Sequence, residues 1–379
     1  MPTMTNKSKI AIAKPYLTGD DIERVLKNAR LILESGMMMQ GAFVEKFERA
    51  FAHYVGVPHA RAVNSGTSAL HAILEYYSVR DSEVLVPVNT FLATSNAVLF
   101  AGGKPVFVEM DPETLCLDVD DFKRKITPKT KGIIVVHLAG LIQPRIEEIE
   151  AVCKERGLFL VEDASHAHGS SHKGEIAGSF GDAAAFSFLA TKVITTGGEG
   201  GIVTTRDSKL ASWVKSLRFH GEDATRGVQD RIGYSWRMTE IQAVVGLTQV
   251  ERLTEIVSKR MAIAAAYDRA FRGNKNLKTV HVPEGDRDAY YKYPLILAKG
   301  MNRLTVKERL EKEFGVSSGT SYWPPCHLQP AYQKAFGYSE GMFPIAEDIL
   351  SRTISLPMHC HLTDDEVARV IEAVEKVCE

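Results

Sequence analysis

Phe186-Ser187-Phe188-Leu189-Ala190-Thr191-Lys192, followed after four residues by Gly197-Gly198-Glu199-Gly200-Gly201, decides how this chain is read. An apolar, strand-like run delivers a lysine at its end, and a glycine turn leaves room beside the amine. Upstream, Gly157-Leu158-Phe159-Leu160-Val161-Glu162-Asp163 is a second apolar run, and it ends in a carboxylate. In an open α/β sheet the carboxyl ends of the strands face the ligand crevice. A lysine amine and a strand-end aspartate facing one crevice are what pyridoxal phosphate requires. The amine forms a Schiff base with its carbonyl carbon, and the aspartate keeps its ring nitrogen protonated. Either residue alone also fits a surface lysine or a helix cap.

The flanking sequence supports a layered α/β fold. Arg61–Val63, Glu83–Val88, Lys104–Val108, Lys131–Leu138 and Gly157–Asp163 read as strands. Helical patterns separate them, through Tyr77, over Thr90–Phe100 and over Arg145–Arg156. Continuous apolar runs alternating with helices predict a mainly parallel sheet covered on both faces. From Thr239 a long helix is expected to reach Phe271, opened by a capping box of Thr239 with Gln242. A strand at Tyr290–Leu297 follows, then helices after Thr305 (box with Glu308) and Thr363 (box with Glu366). The expected organisation is a large cofactor-binding α/β domain over 1–250, with the N-terminal segment, and a small α+β domain over 251–379.

Charge and composition exclude several roles. The formal net charge is -1, so no basic face points to nucleic acid or to an anionic membrane. No apolar run approaches the length of a membrane span. Five dispersed cysteines without a CxxC pair, and no apolar stretch at Met1–Lys9, predict a cytoplasmic protein with reduced thiols. No Walker loop, HExxH or GxSxG occurs, and Gly198-Glu199-Gly200 lacks the third glycine of a dinucleotide fingerprint.

Other residues complete the candidate site. Ser65-Gly66-Thr67-Ser68 lies between a strand and a helix, where backbone N–H groups and hydroxyls can receive a phosphate. A plain helix cap fits the same residues. Ser187, five positions before Lys192, can reach the same anion. Phe91 can lie over a flat ring or belong to the core. His166 and His168 form an HxH pair, as do His359 and His361, but neither has a third metal ligand at a standard spacing, so no metal is expected.

These motifs resemble the DegT/DnrJ/EryC1/StrS family of sugar aminotransferases, fold-type I pyridoxal phosphate enzymes. The resemblance spans nearly the whole chain. It is carried by Ser65–Leu70, Asn89–Thr94, Lys104–Val108, Glu162–Ala167, Phe186–Phe188 with Thr191-Lys192, Gly233–Met238, Cys326–Pro330 and Ser355–Met358. It implies a mixed, mostly parallel seven-stranded sheet with a small C-terminal domain, and a homodimer with active sites at the subunit interface. It also implies Lys192 as the Schiff-base lysine, Asp163 on the ring nitrogen, and Thr67, Ser68 and Ser187 on the phosphate. Phe91 would cover the ring and His166 would stand near its hydroxyl. Relatives with histidine at the lysine position are sugar dehydratases, so Lys192 argues for amine transfer.

The chain departs from the family pattern in three places. Ser235 stands where the family usually has an asparagine that reaches the partner subunit's cofactor phosphate. Leu189-Ala190 replaces a more usual His-Pro. Gly36-Met37-Met38-Met39-Gln40-Gly41 replaces a Trp-Leu-Thr type of segment, and its methionines suit an adaptable substrate pocket or packing within a dimer. The expected reaction moves an amino group from an amino acid, L-glutamate, to a nucleoside-diphosphate 4-keto-6-deoxyhexose. His327 and Tyr322 are candidate sugar contacts. The rival readings are a keto-cyclitol or 3-keto-sugar aminotransferase, and a non-catalytic regulatory protein that binds the cofactor.

Overall fold

The computed structural model describes residues 9–223 and 225–379; most of the Met1–Lys9 segment lies outside them. Strands β1 (His59–Val63), β2 (Glu83–Pro87), β3 (Lys104–Val108), β4 (Thr130–Val136) and β5 (Phe159–Asp163) come first. A hairpin of β6 (Ser171–His172) and β7 (Glu175–Ile176) precedes β8 (Ala183–Ser187) and β9 (Gly201–Thr205). Seven of these form one sheet in the order β1-β9-β8-β5-β4-β2-β3. The pairs β3–β2, β2–β4, β4–β5 and β5–β8 are parallel, and β9 pairs antiparallel with both β8 and β1. Only β9 therefore runs against the rest: the sheet is mainly parallel, as expected from the apolar runs, and has the seven strands that the family resemblance implies. Those runs are uniformly apolar because helices cover both faces: every residue of β5 is buried, as are all of β2 but Glu83.

The sheet topology positions the site. Because β1, β5 and β8 point the same way, their carboxyl ends bring Asn64-Ser65, Asp163 and Ser187 to one edge. Gly201 enters at that edge between Val63 and Ser187. A β-carbon there would lie 2.1 Å from the Ser65 carbonyl oxygen, so only glycine lets β9 start so close to the turn after β1.

Beyond a short hairpin of β10 (Glu222–Asp223) and β11 (Val228–Gln229), the helix expected over Thr239–Phe271 is two helices, Glu240–Glu251 and Leu253–Phe271. The Thr239–Gln242 capping box forms. The break falls at Arg252 (φ -107°, ψ 5°), whose guanidinium is drawn to Asp21 and Glu255. The strands β12 (Leu277–Thr279), β13 (Tyr293–Leu297) and β14 (Thr353–Leu356) make a second, antiparallel sheet. Tyr267, Leu295, Leu310, Ile354 and Val370 fill its core. Ile10 belongs to that core, joined to Gly315 by an N–H···O bond of 2.9 Å. Tyr332, Phe343 and Leu350 instead pack on the large sheet with Phe107. The helix predicted after Thr305 begins at Arg303, because Asn302 Oδ1 caps both Leu304 and Thr305. The Thr363–Glu366 box forms as read.

Candidate active site

At the sheet edge the turn Ser65-Gly66 opens the helix Gly66–Tyr76, with Ser65 Oγ capping the Ser68 N–H at 3.1 Å. The first turn of a helix leaves N–H groups without intrahelical partners and carries the positive end of its dipole. Ser187 lies directly over that turn: a β-carbon on Gly66 would sit 2.7 Å from Ser187 Cβ. Thr67, half-buried at the same turn, completes a small concave set of hydroxyl and N–H donors that suits a phosphate. Ser68 is less free than expected. Its hydroxyl donates to Asn64 Oδ1 at 2.7 Å and lies 3.0 Å from Ser65 Oγ, so it braces the turn.

Asp163 closes β5 and is buried. One carboxylate oxygen accepts the Thr94 hydroxyl at 2.7 Å, and the other accepts the Ser165 N–H at 3.2 Å. With the Thr94 hydroxyl proton donated to Asp163, the Thr90 hydroxyl donates to Thr94 Oγ1 at 2.7 Å. Thr90 and Thr94 flank the start of the helix Leu92–Phe100, at whose N-cap stands Phe91. The carboxylate is thus oriented by hydroxyl and amide donors and has no ion-paired cation among the described residues, which leaves it suited to a protonated ring nitrogen.

Lys192 follows β8 in a loop laced to the glycine run. Phe188 N–H bonds to Gly200 O and Ala190 N–H to Gly198 O, both at 2.8 Å. The half-buried amine lies 4.6 Å from the centre of the Tyr291 ring. Burial pushes this amine down to about 8; Asp163 opposes the fall, and the charge of Lys292 adds to it. Tyr291 stacks on His166 at 4.4 Å, and His166 Nε2 meets Tyr322 Oη at 2.6 Å. His166 Nδ1 accepts the Ala139 N–H at 3.3 Å, so the imidazole proton resides on Nε2 and is donated to Tyr322. Burial, with Lys192 and Lys292 nearby, holds His166 well below its ordinary range and therefore neutral. Tyr322, held in the left-handed region (φ 58°), keeps its own hydroxyl proton for donation. Phe91 lies 6.3 Å from the Tyr322 ring and is 61% exposed, standing at the open side and not in the core.

One continuous series of contacts therefore runs from Phe91 through Tyr322, His166 and Tyr291 to Lys192, with Asp163 beside it. His168 is not part of the series: its ring is fully buried beside Phe186 and Phe188, and burial pushes it down to about 3. His359 and His361 bond to backbone carbonyls of the N-terminal segment. Among the described residues no cluster of three or more His, Cys, Asp or Glu side chains is placed to hold a metal. The expectation of a sugar contact from His327 is corrected. The ring is fully buried, 4.7 Å from Phe343, with Nε2 bound to Glu347 at 2.8 Å. Ser235 is exposed, and its hydroxyl accepts from Arg237 at 2.9 Å. Met37, Met38 and Met39 are exposed. A cleft of about 1150 Å³ lined by Glu45, Arg61, Trp213 and Arg231 holds none of the residues of this series.

Three residues escaped the sequence reading. Tyr291 and Lys292 lie in Tyr290-Tyr291-Lys292-Tyr293, which reads as the start of a strand; a lysine set among tyrosines was the available signal. Thr94 looked like an ordinary helix residue, although its spacing of four from Thr90 places both hydroxyls on one face.

The family model described as the DegT/DnrJ/EryC1/StrS aminotransferase family matches residues 20–375. The chain is 37% identical to the spore coat polysaccharide biosynthesis protein SpsC of Bacillus subtilis, over 96% of this chain and 95% of that one. It is 36% identical to the GDP-perosamine synthase of Caulobacter vibrioides, over 99% and 100%. Among solved structures it resembles Helicobacter pylori PseC, an aminotransferase involved in the biosynthesis of pseudoaminic acid, with a TM-score of 0.91 and 31% identity over 98% and 99% of the two chains.

Proposed function

From the premise that this chain belongs to the DegT/DnrJ/EryC1/StrS aminotransferase family, we propose that it aminates a nucleotide-linked keto-sugar with an amino-acid donor. It is a pyridoxal phosphate-dependent sugar aminotransferase. The finer reading is an L-glutamate donor and a nucleoside-diphosphate 4-keto-6-deoxyhexose acceptor, worked on by a homodimer. The observation that carries the aminotransferase reading is Lys192: a half-buried amine held near Asp163, with the Ser65–Ser68 turn and Ser187 at the same sheet edge.

The cofactor supplies an electrophilic carbon for amine exchange and a ring that accepts the electron pair left when a proton departs. The chain does the rest. Thr67, Ser187 and the first turn of the helix Gly66–Tyr76 would hold the phosphate, with Ser68 bracing the turn. Asp163, oriented by Thr94 and Ser165, would keep the ring nitrogen protonated. Tyr322, fixed by His166, offers a hydroxyl proton at the site, and Phe91 covers the open face. Lys192 would anchor the cofactor, and its free amine would serve as the base. An amine with a pKa of about 8 is partly neutral near pH 7, as a proton shuttle must be.

The test is amine formation from L-glutamate with a panel of nucleoside-diphosphate keto-sugars, the product read by mass spectrometry and the aminated carbon by NMR. A 4-amino-6-deoxyhexose product is expected. Amination at C3, or of a keto-cyclitol alone, would replace the finer reading. Lys192→Ala should abolish turnover and borohydride fixation of the cofactor to the chain; full activity in that variant would sink the assignment.

A further inference from the structure

Lys292 has no role in the chemistry above, yet it stands at the same wall. Its half-buried ammonium donates to Thr320 O at 3.0 Å and lies 4.5 Å from the centre of the Tyr322 ring. It lies 5.7 Å from the Tyr291 ring, the ring over which Lys192 sits at 4.6 Å. Burial pushes its amine down to about 8, and no neighbouring acid opposes the fall. The backbone that carries it is clamped. Arg260 donates to the carbonyls of Ala289, Tyr290 and Tyr291 at 2.8 to 3.1 Å. Ser170 Oγ accepts the Ala289 N–H at 2.9 Å.

A partly desolvated cation with one carbonyl and two aromatic faces for company lacks its natural partner, an anion. Two anionic substrates enter this site under the reading above, on which this inference rests. The diphosphate of a sugar nucleotide is separated from the reacting keto carbon by the body of the hexose. The α-carboxylate of an amino acid is one bond from its reacting carbon. Lys292 and the base Lys192 lie against the same Tyr291 ring, which favours the nearer anion. We propose that Lys292 binds the α-carboxylate of the amino donor. In that role it is a substrate-positioning residue that turns the α-hydrogen toward Lys192, and it stands free again when the sugar occupies the site.

The test uses holoenzyme and equilibrium absorbance titrations. One probe is α-methyl-L-glutamate, which binds but has no α-hydrogen to lose; the other is 4-aminobutyrate, which is glutamate without its α-carboxylate. Lys292→Met should weaken α-methyl-L-glutamate about 10- to 100-fold, the loss of one charged hydrogen bond, and leave 4-aminobutyrate within about twofold. Lys292→Arg should restore most of the difference. Competition by a free nucleoside diphosphate should be unchanged. Equal weakening of both amines, or loss of nucleoside diphosphate affinity instead, overturns the proposal. Should Lys292→Met not retain cofactor, Lys292→Gln carries the same comparison. A wild-type holoenzyme inert to every amino acid would remove the aminotransferase reading itself, and this inference with it.

Discussion

At the scale of single residues, the site depends on where protons sit. Only neutral Lys192 can accept one, so the rate of amino-acid conversion should rise with pH through an inflection near 8. Removing the neighbouring positive charge in Lys292→Met makes the Lys192 ammonium less unfavourable. The inflection should therefore move to higher pH, visible in single-turnover rates; a shift downward would contradict the coupling. Gly66→Ala makes a separate prediction. Its β-carbon would fall 2.7 Å from Ser187 Cβ, so the cradle must open. Affinity for pyridoxal phosphate should drop about tenfold or more in a fluorescence titration, the order expected of a 1–3 kcal/mol overpacking strain. Lys192, Asp163, Thr67 and Ser187 were legible in sequence because strand ends and glycine turns announce where side chains converge. His327 was not, since a histidine in a loop carries no sign of whether Glu347 will claim it.

At the scale of elements, the segment 288–292 is a strap, not a strand, and the reading that began a strand at Tyr290 came three residues early. The strap exists because Asp288, Arg260 and Ser170 take up backbone groups that a ladder would have used. Burial pushes the Asp288 carboxyl up to about 7. Its folded pKa lies above the unfolded value near 3.9, so the native state holds a proton that the unfolded chain releases. Stability should therefore fall as pH rises from about 4 to 7. Asp288→Asn, which keeps the acceptor for the Tyr290 N–H, should flatten that slope, with a gain at pH 7 of up to about 4 kcal/mol. Denaturant melts at the two ends of the range measure it; parallel slopes for both proteins would refute the assignment. Capping boxes at Thr239 and Thr363 were readable because nothing upstream competes. At Thr305 the earlier Asn302 wins, since one carboxamide oxygen caps two N–H groups.

At the scale of the whole molecule, large apolar side chains are exposed in and after one helix and at one loop position. Ile22, Leu26, Leu31 and Leu33 of the helix Gly19–Ser35, the three methionines after it, and Ile232, 94% exposed, are more than a monomer needs. Analytical ultracentrifugation should give a mass twice that of the chain. Leu26→Asp with Ile232→Asp should yield monomers with most activity lost, and an unchanged mass would argue against this surface. The parallel sheet was legible from alternating apolar runs. The allegiance of the last third was not, because Tyr332 and Phe343 join the large core while Ile10 joins the small one, and such long-range choices leave no local periodicity.

The site draws on Thr67 and Asp163 at the sheet edge and on Tyr322, held by His166, a residue made more than two hundred positions after the first of them. On the ribosome the phosphate cradle and the ring-nitrogen carboxylate emerge early, while His166 waits for its phenol until little of the message is left. A chain released early would carry Thr67 and Asp163, the residues proposed to hold the cofactor, without the Tyr322 phenol that His166 holds.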